Sequence, residues 1–223
     1  MKLGRTTGRV GRPDAQETEA LNEHLLTTAT KLFIEHGYAG TSIEKVAGVA
    51  GAGKQTIYRR YQSKEDLFVA VVSTASQVLA NAGLESRQRK EDPLISLRDT
   101  CRRLFDTINE PDAISVYRIL IAEGLRFPNL VERVYQAALE PIYASIQCLL
   151  QSAREVGGIR TDIPIDDMQR LLLGMITGWS MQQMLLSRKA FATDRERRDY
   201  FSKAWALFLE GVLPPDASKS KLK

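Results

Sequence analysis

The sequence predicts an all-α protein, with an N-terminal three-helix helix-turn-helix domain and a larger helical bundle behind it. Apolar residues recur at helical spacing in almost every segment, and almost none alternates with the period of two that a half-buried strand requires. Two capping boxes stand close together, Thr41-Ser42-Ile43-Glu44 and Ser63-Lys64-Glu65-Asp66, the second closing with Asp in place of Glu or Gln. Between them Ala47, Gly51 and Ile57 supply what two crossing helices need: a small residue at the crossing, a glycine for a turn with positive φ, and an apolar anchor under the next helix.

Each element follows in order. Residues 1–18 are polar, glycine-rich and basic without periodicity, and read as a flexible arm. Leu25, Ala29, Leu32 and Phe33 share one helix face and Gly37 stands where a C-terminal cap belongs, so helix 1 begins between 16 and 19 and ends at 36. Helix 2 is expected over 42–50, helix 3 over 54–61, and helix 4 from 64 to about 82, followed by a charged connector at 83–92. Further helices are expected over 93–109 and 111–123, the second with Pro111 in its first turn. Phe127-Pro128 interrupts, a long helix covers 129–155, and Gly157-Gly158 ends it. The last two helices cover 166–187 and 194–212, and Pro214-Pro215 stops the chain before a polar tail. The resulting organisation is an arm at 1–15, a helix-turn-helix domain at 16–64, a bundle at 65–213 and a tail at 214–223.

Charge placement divides the same chain. Of 31 Lys+Arg and 27 Asp+Glu in 223 residues, the first 64 hold 10 and 6, a net +4, and the remainder hold 21 of each. All the excess positive charge therefore lies in the helix-turn-helix segment, as it does when one domain meets phosphates and the other does not. Two cysteines, Cys101 and Cys148, are too few and too distant for a disulfide framework or a metal cluster, and His24 and His36 lack partners at metal-ligand spacing. No metal or cofactor is expected. The basic N-terminus is followed by no apolar run, so it is not a signal peptide, and no window approaches the ~20 apolar residues of a membrane helix. The expected compartment is the bacterial cytoplasm, in association with the nucleoid.

Helix 3 carries Lys54, Gln55, Thr56, Tyr58, Arg59 and Arg60, the chemistry of base edges and phosphates. At about 100° per residue, Ile57 and Tyr61 lie roughly 40° apart and form a buried face. Gln55 and Arg59 point the opposite way, Thr56 and Tyr58 flank them, and Arg60 lies beyond Thr56. Gln pairs bidentately with adenine, Arg with guanine O6/N7, and Thr meets a thymine methyl. Tyr58 suits a phosphate. The N–H groups opening helix 4, with Lys64, make another phosphate site, as do Thr41 and Ser42 at the start of helix 2. Read one residue at a time, the same set is a solvated basic face; the caps, the spacing and the charge asymmetry together favour DNA.

Residues 25–72 resemble the helix-turn-helix of the TetR/AcrR family of bacterial transcriptional regulators. The resemblance implies groove and phosphate contacts at Thr41, Ser42, Gln55, Thr56, Tyr58, Arg60 and Lys64. Gly53 stands where many members place Ser before helix 3, so a hydroxyl for phosphate is lost, and Glu44 stands where some place a base-contacting Arg. The arm adds Arg5, Arg9 and Arg12, and the run from Gly8 to Pro13 resembles Gly-Arg-Pro arms that follow a narrow minor groove; a solubilising tail is the alternative. Gly48 to Gln55 nearly spells a phosphate-binding loop, but Gln55 replaces its Ser/Thr and a capped helix precedes it in place of a strand.

For the bundle the resemblance implies a ligand-binding and dimerisation domain, and Ile121 to Leu130 is similar to a stretch found in one branch of AcrR-like repressors. Cys101, Tyr117, Tyr135, Cys148, Met175, Trp179 and Met184 are candidates to line a pocket, with plain core packing as the alternative. Gly174 and Gly178, one turn apart, and the apolar stripe Phe201, Trp205, Phe208 and Val212 are expected at a four-helix dimer interface; internal packing is the alternative. No nucleophile–base or acidic pair argues for an enzyme. The expectation is a homodimeric repressor of double-stranded operator DNA, released by a small apolar effector. Its rivals are an activator or architectural DNA-binding protein without an effector and, more remotely, a phosphate-loop nucleotide hydrolase.

Overall fold

The computed structural model describes residues 15–89 and 91–214, and among these are eleven α-helices, two π-helical turns and no strand. The N-terminal helices are α1 (Ala15–His36), α2 (Ile43–Ala50), α3 (Lys54–Arg60) and α4 (Lys64–Arg89). The bundle adds α5 (Pro93–Ile108), α6 (Pro111–Gly124), α7 (Pro128–Val134), α8 (Glu140–Glu155), α9 (Ile165–Leu173), α10 (Trp179–Leu185) and α11 (Asp194–Val212).

Local signals place the first four helices. Gly37 ends α1 at φ 70° with its N–H on the Phe33 carbonyl at 2.8 Å. Gly51 ends α2 at φ 63°, donating to Ala47 and Gly48. The box opening α4 forms in full: Ser63 Oγ accepts from Asp66 N–H at 3.0 Å and Asp66 Oδ2 accepts from Ser63 N–H at 2.9 Å. Asp, one methylene shorter than Glu, still closes the reciprocal pair.

Three boundaries differ from expectation. The connector foreseen at 83–92 is mostly helix, because α4 continues to Arg89; after Gly83 the residues Leu84, Glu85, Arg87, Gln88 and Arg89 favour helix, and only Ser86 does not. The helix foreseen at 129–155 is broken by a π turn at Tyr135–Leu139, where Glu140 N–H reaches back to the Tyr135 carbonyl. Pro141 explains it: a proline inside a regular helix has no N–H to give and collides with the carbonyl four residues earlier. The helix foreseen at 166–187 holds a second π turn, Gly174–Gly178, and the Tyr200 hydroxyl donates to its Met175 carbonyl at 2.8 Å.

Two apolar clusters organise the packing. In one, Leu25, Phe33, Tyr38, Ile57 and Phe68 of the N-terminal helices join Val116 and Leu120 of α6 and Leu130 and Val134 of α7. The reading domain is thus welded to α6 and α7, not tethered by a linker. The other cluster lies among α5, α8, α9 and α11, and it contains Phe201, Trp205, Phe208 and Val212 at 1, 6, 4 and 4% exposure. The expectation that these four form a dimer interface is therefore corrected: they are the core of one subunit. Each apolar side chain buried in this way contributes about 1.5–3 kcal/mol.

The turn between α1 and α2 admits one residue type at position 40. A Cβ on Gly40 would overlap the backbone carbonyl oxygen of His36, which cannot swing away. Gly40→Ala is expected to cost about 1–3 kcal/mol, the usual range for an overpacked site. Thermal unfolding measures it; an unshifted midpoint means that the turn relaxes freely.

Candidate nucleic-acid interface

α3 is held from below. Ile57 is fully buried, Ala47 of α2 is 3% exposed where the helices cross, and α2 and α3 pack on each other beside α1. Two side chains tie the end of α3 to α1: Tyr61 donates its hydroxyl to Asn22 Oδ1 at 2.7 Å and Arg60 Nη2 donates to the Thr18 carbonyl at 3.0 Å. With that face fixed, Lys54, Gln55, Tyr58 and Arg59 are exposed together, and Thr56 and Arg60 are half-buried at the edges. Ser42 is exposed as the N-cap of α2, its hydroxyl accepting from Lys45 N–H at 3.2 Å.

Glu44 has a role that sequence reasoning missed. Tyr58 donates its hydroxyl to Glu44 Oε1 at 3.0 Å, and Lys54 Nζ stands 4.0 Å from the same oxygen. The carboxylate's pKa is held below its usual range, first by a bond to its own backbone N–H and next by the Tyr58 hydroxyl, while that bond raises Tyr58. An ionised carboxylate thus orients two phosphate-seeking groups across α2 and α3. The only signal for this is spatial, since the two residues are fourteen apart in sequence.

Thr41 is a correction. It is 2% exposed, its hydroxyl donates to the Leu32 and Gly37 carbonyls at 3.0 and 2.9 Å, and its N–H donates to Tyr38. It clamps α1 to the turn and has no donor left for a phosphate; the cap of α2 is the next residue, Ser42. Lys64 is half-buried, with Nζ on the Tyr38 carbonyl at 2.9 Å and 4.4 Å over the Tyr38 ring, and desolvation lowers its pKa. At the opening of α4 the capping box engages the Ser63 and Asp66 N–H groups, and Glu65 and Asp66 there pair with Arg133 of α7, so this end already carries two carboxylates. Arg5, Arg9 and Arg12 lie outside the described residues. Gly48 to Gln55 forms the end of α2, the turn and the opening of α3, the geometry of a helix-turn-helix and not of a strand-preceded phosphate loop.

The seven pocket candidates do not converge. Cys101 is fully buried in the cluster of α5 and α8, where burial pushes its thiol up to about 12, and Met175 packs against the same cluster. Tyr117 packs against the other cluster. Trp179 and Tyr135 are 45 and 43% exposed, and Cys148 and Met184 are half-buried. Met and aromatic residues at helical spacing mark buried faces without saying which faces meet. Tyr117 and Tyr135 both neighbour Tyr143 of α8, a residue missed from the sequence, whose ring lies 6.2 Å from that of Tyr135. Burial, then the two neighbouring tyrosines, raises its pKa. Gly174 and Gly178 are exposed, and a Cβ on either would meet nothing within 4 Å, so no close approach within the subunit requires them. Among the described residues no helix is long and apolar enough to cross a membrane, and no three His, Cys, Asp or Glu gather to hold a metal ion.

A basic helix presented on a rigid three-helix base, with a bundle packed behind it, defines a helix-turn-helix DNA-binding protein. Residues 25–71 match the family model described as bacterial regulatory proteins of the tetR family, and residues 96–211 match that of the AefR-like transcriptional repressor C-terminal domain. The chain belongs to the TetR family of transcriptional regulators, which are not enzymes. It is 24% identical over 205 residues to the HTH-type transcriptional regulator AcrR of Shigella flexneri, covering 90% of this chain and 94% of AcrR. The crystal structure of a putative TetR-family regulator from Mesorhizobium loti superposes with a TM-score of 0.73 at 28% identity, over 88% of this chain and 98% of the other. FadR from Bacillus subtilis, solved in complex with stearoyl-CoA, shares the fold with a TM-score of 0.67 at 15% identity, over 85 and 98%.

Proposed function

We propose that this chain is a cytoplasmic homodimeric repressor, in which two copies of α3 enter successive major grooves of a pseudo-palindromic operator and a small ligand in the C-terminal bundle releases them. The exposed face of α3, with Gln55 and Arg59 outward and Lys54 and Tyr58 beside them, carries the reading. Gln55, Thr56 and Arg59 read bases; Ser42, Lys54, Tyr58, Arg60 and Lys64 meet phosphates, the last two after leaving the carbonyls that hold them. The arm with Arg5, Arg9 and Arg12 follows the minor groove.

Dimerisation falls to the bare outer faces of the last long helices. Leu171, Gly174 and Gly178 repeat along one face of α9 and its π turn, and Leu207 and Gly211 along one face of α11 with Ala206 beside them, all exposed. Leu171 and Leu207 are 61 and 60% exposed. Small residues between leucines let two copies approach closely around a two-fold axis. A ligand with an apolar chain is supported by the stearoyl-CoA complex of a protein with this fold, and release requires that it bind the DNA-free state more tightly.

Fluorescence anisotropy with labelled DNA from upstream of the chain's own gene tests the DNA reading. Four or more phosphates neutralised per subunit give a log–log salt slope steeper than about −6 for the dimer. A slope near zero contradicts the electrostatic footprint.

A further inference from the structure

One cleft opens at the C-terminal end of α3, beside its outward face. It has a volume of about 510 Å³ and lies where α3 and α4 meet α7 and its π turn, with Arg60, Asp66, Val69, Ser73, Arg133 and Ala137 in its walls. Ser73 is 6% exposed, and its hydroxyl, buried from solvent, has no hydrogen-bond partner among the described residues. A buried hydroxyl without a partner is unfavourable, so this position calls for a polar atom that the chain does not supply. Two guanidinium groups and the Asp66 carboxylate line the cleft, and Glu65 at its edge also pairs with Arg133, so Arg60 supplies the positive charge open to a ligand. Arg133 is shared between Glu65 and Asp66, whereas Arg60 spends one N–H on the Thr18 carbonyl. The methyl groups of Val69 and Ala137 make the rest of the wall apolar.

We infer that this cleft is a second ligand site, for a small organic carboxylate. The carboxylate pairs with the guanidinium of Arg60 and takes an N–H of Arg133 that Glu65 and Asp66 leave over, as guanidinium groups pair with carboxylates generally. One carboxylate oxygen also accepts from the Ser73 hydroxyl, which turns toward the cleft, and the hydrocarbon body covers Val69 and Ala137. Inorganic anions fit less well, because they leave the apolar wall wet. The ligand binds at the C-terminal end of the reading helix: Arg60 cannot hold it and a DNA phosphate at once. Only this last coupling rests on the operator reading; the binding itself does not.

The experiment uses the full chain without DNA, with benzoate as probe and benzamide as its neutral isostere, by calorimetry and by 19F NMR of 4-fluorobenzoate. Saturable benzoate binding is expected, at least tenfold tighter than benzamide. Arg60→Gln and Ala137→Glu should each weaken benzoate at least tenfold, the second by placing a negative charge on an exposed position at the cleft. Ser73→Ala should weaken it several-fold without lowering the thermal midpoint, since the lost hydroxyl held nothing. Absence of saturable binding, which would leave the cleft to water, overturns the inference. So does equal affinity for benzamide, or an affinity unchanged in any of the three variants. With no DNA in the cell, failure here is distinguishable from failure to bind an operator.

Discussion

Leu171→Glu combined with Leu207→Glu is expected to split the dimer and remove operator binding while leaving each subunit folded. Both leucines are exposed in the subunit, at 61 and 60%, so the substitutions leave its core intact. Across a two-fold axis, however, each copy would contribute two carboxylates to an apolar contact, and unpaired charges there cost several kcal/mol. A subunit alone holds half a site. Its salt slope should fall to about half that of the dimer and its operator affinity by at least about 10³-fold, toward non-specific binding. The control is Trp205→Glu with Phe208→Glu, which puts charges into a core where those side chains are 6 and 4% exposed and should unfold the subunit. Light scattering with circular dichroism separates the two outcomes. A Leu171/Leu207 double variant that stays dimeric and binds the full operator places the interface elsewhere.

The same contrast marks how far the sequence could be read. Gly37, Gly51, Ile57 and the Ser63–Asp66 box are local signals, each satisfied within a few residues, and the helices and the reading face follow from them. Periodicity also identified Phe201, Trp205, Phe208 and Val212 as a buried face. It could not say whether a neighbouring helix or a second subunit does the burying, because the apolar pattern is the same for both. Thr41 shows the limit of motif transfer: its hydroxyl suits a phosphate, but its position under α1 turns that hydroxyl onto two carbonyls. The contacts that join reading domain to bundle, Arg133 to Glu65 and Asp66 at sequence separations of 68 and 67, leave no mark in either local segment. The π turns were equally hidden, although Pro141 gives the first a cause in retrospect. Pocket candidates fared worst, since residue type alone does not say which faces converge.

Arg59→Ala should have the largest effect of any single change on the reading face. Arg59 is exposed opposite the buried Ile57, and among the described residues no hydrogen bond or ion pair competes for its fork. Loss of a bidentate contact to guanine costs about 1–3 kcal/mol per subunit, hence about 2–6 kcal/mol for the dimer, or roughly 30- to 10⁴-fold in operator affinity. The loss should be confined to operators with the preferred base at one position in each half-site, and preference there should flatten. Tyr58→Phe provides the comparison. It removes a hydroxyl that donates to Glu44 in the free protein and, on DNA, to a phosphate, so it should weaken all sequences alike and by less. A binding scan over single-base variants of the operator discriminates them. If both substitutions lower affinity uniformly across the scan, Arg59 holds the backbone and the bases are read by Gln55 and Thr56 alone.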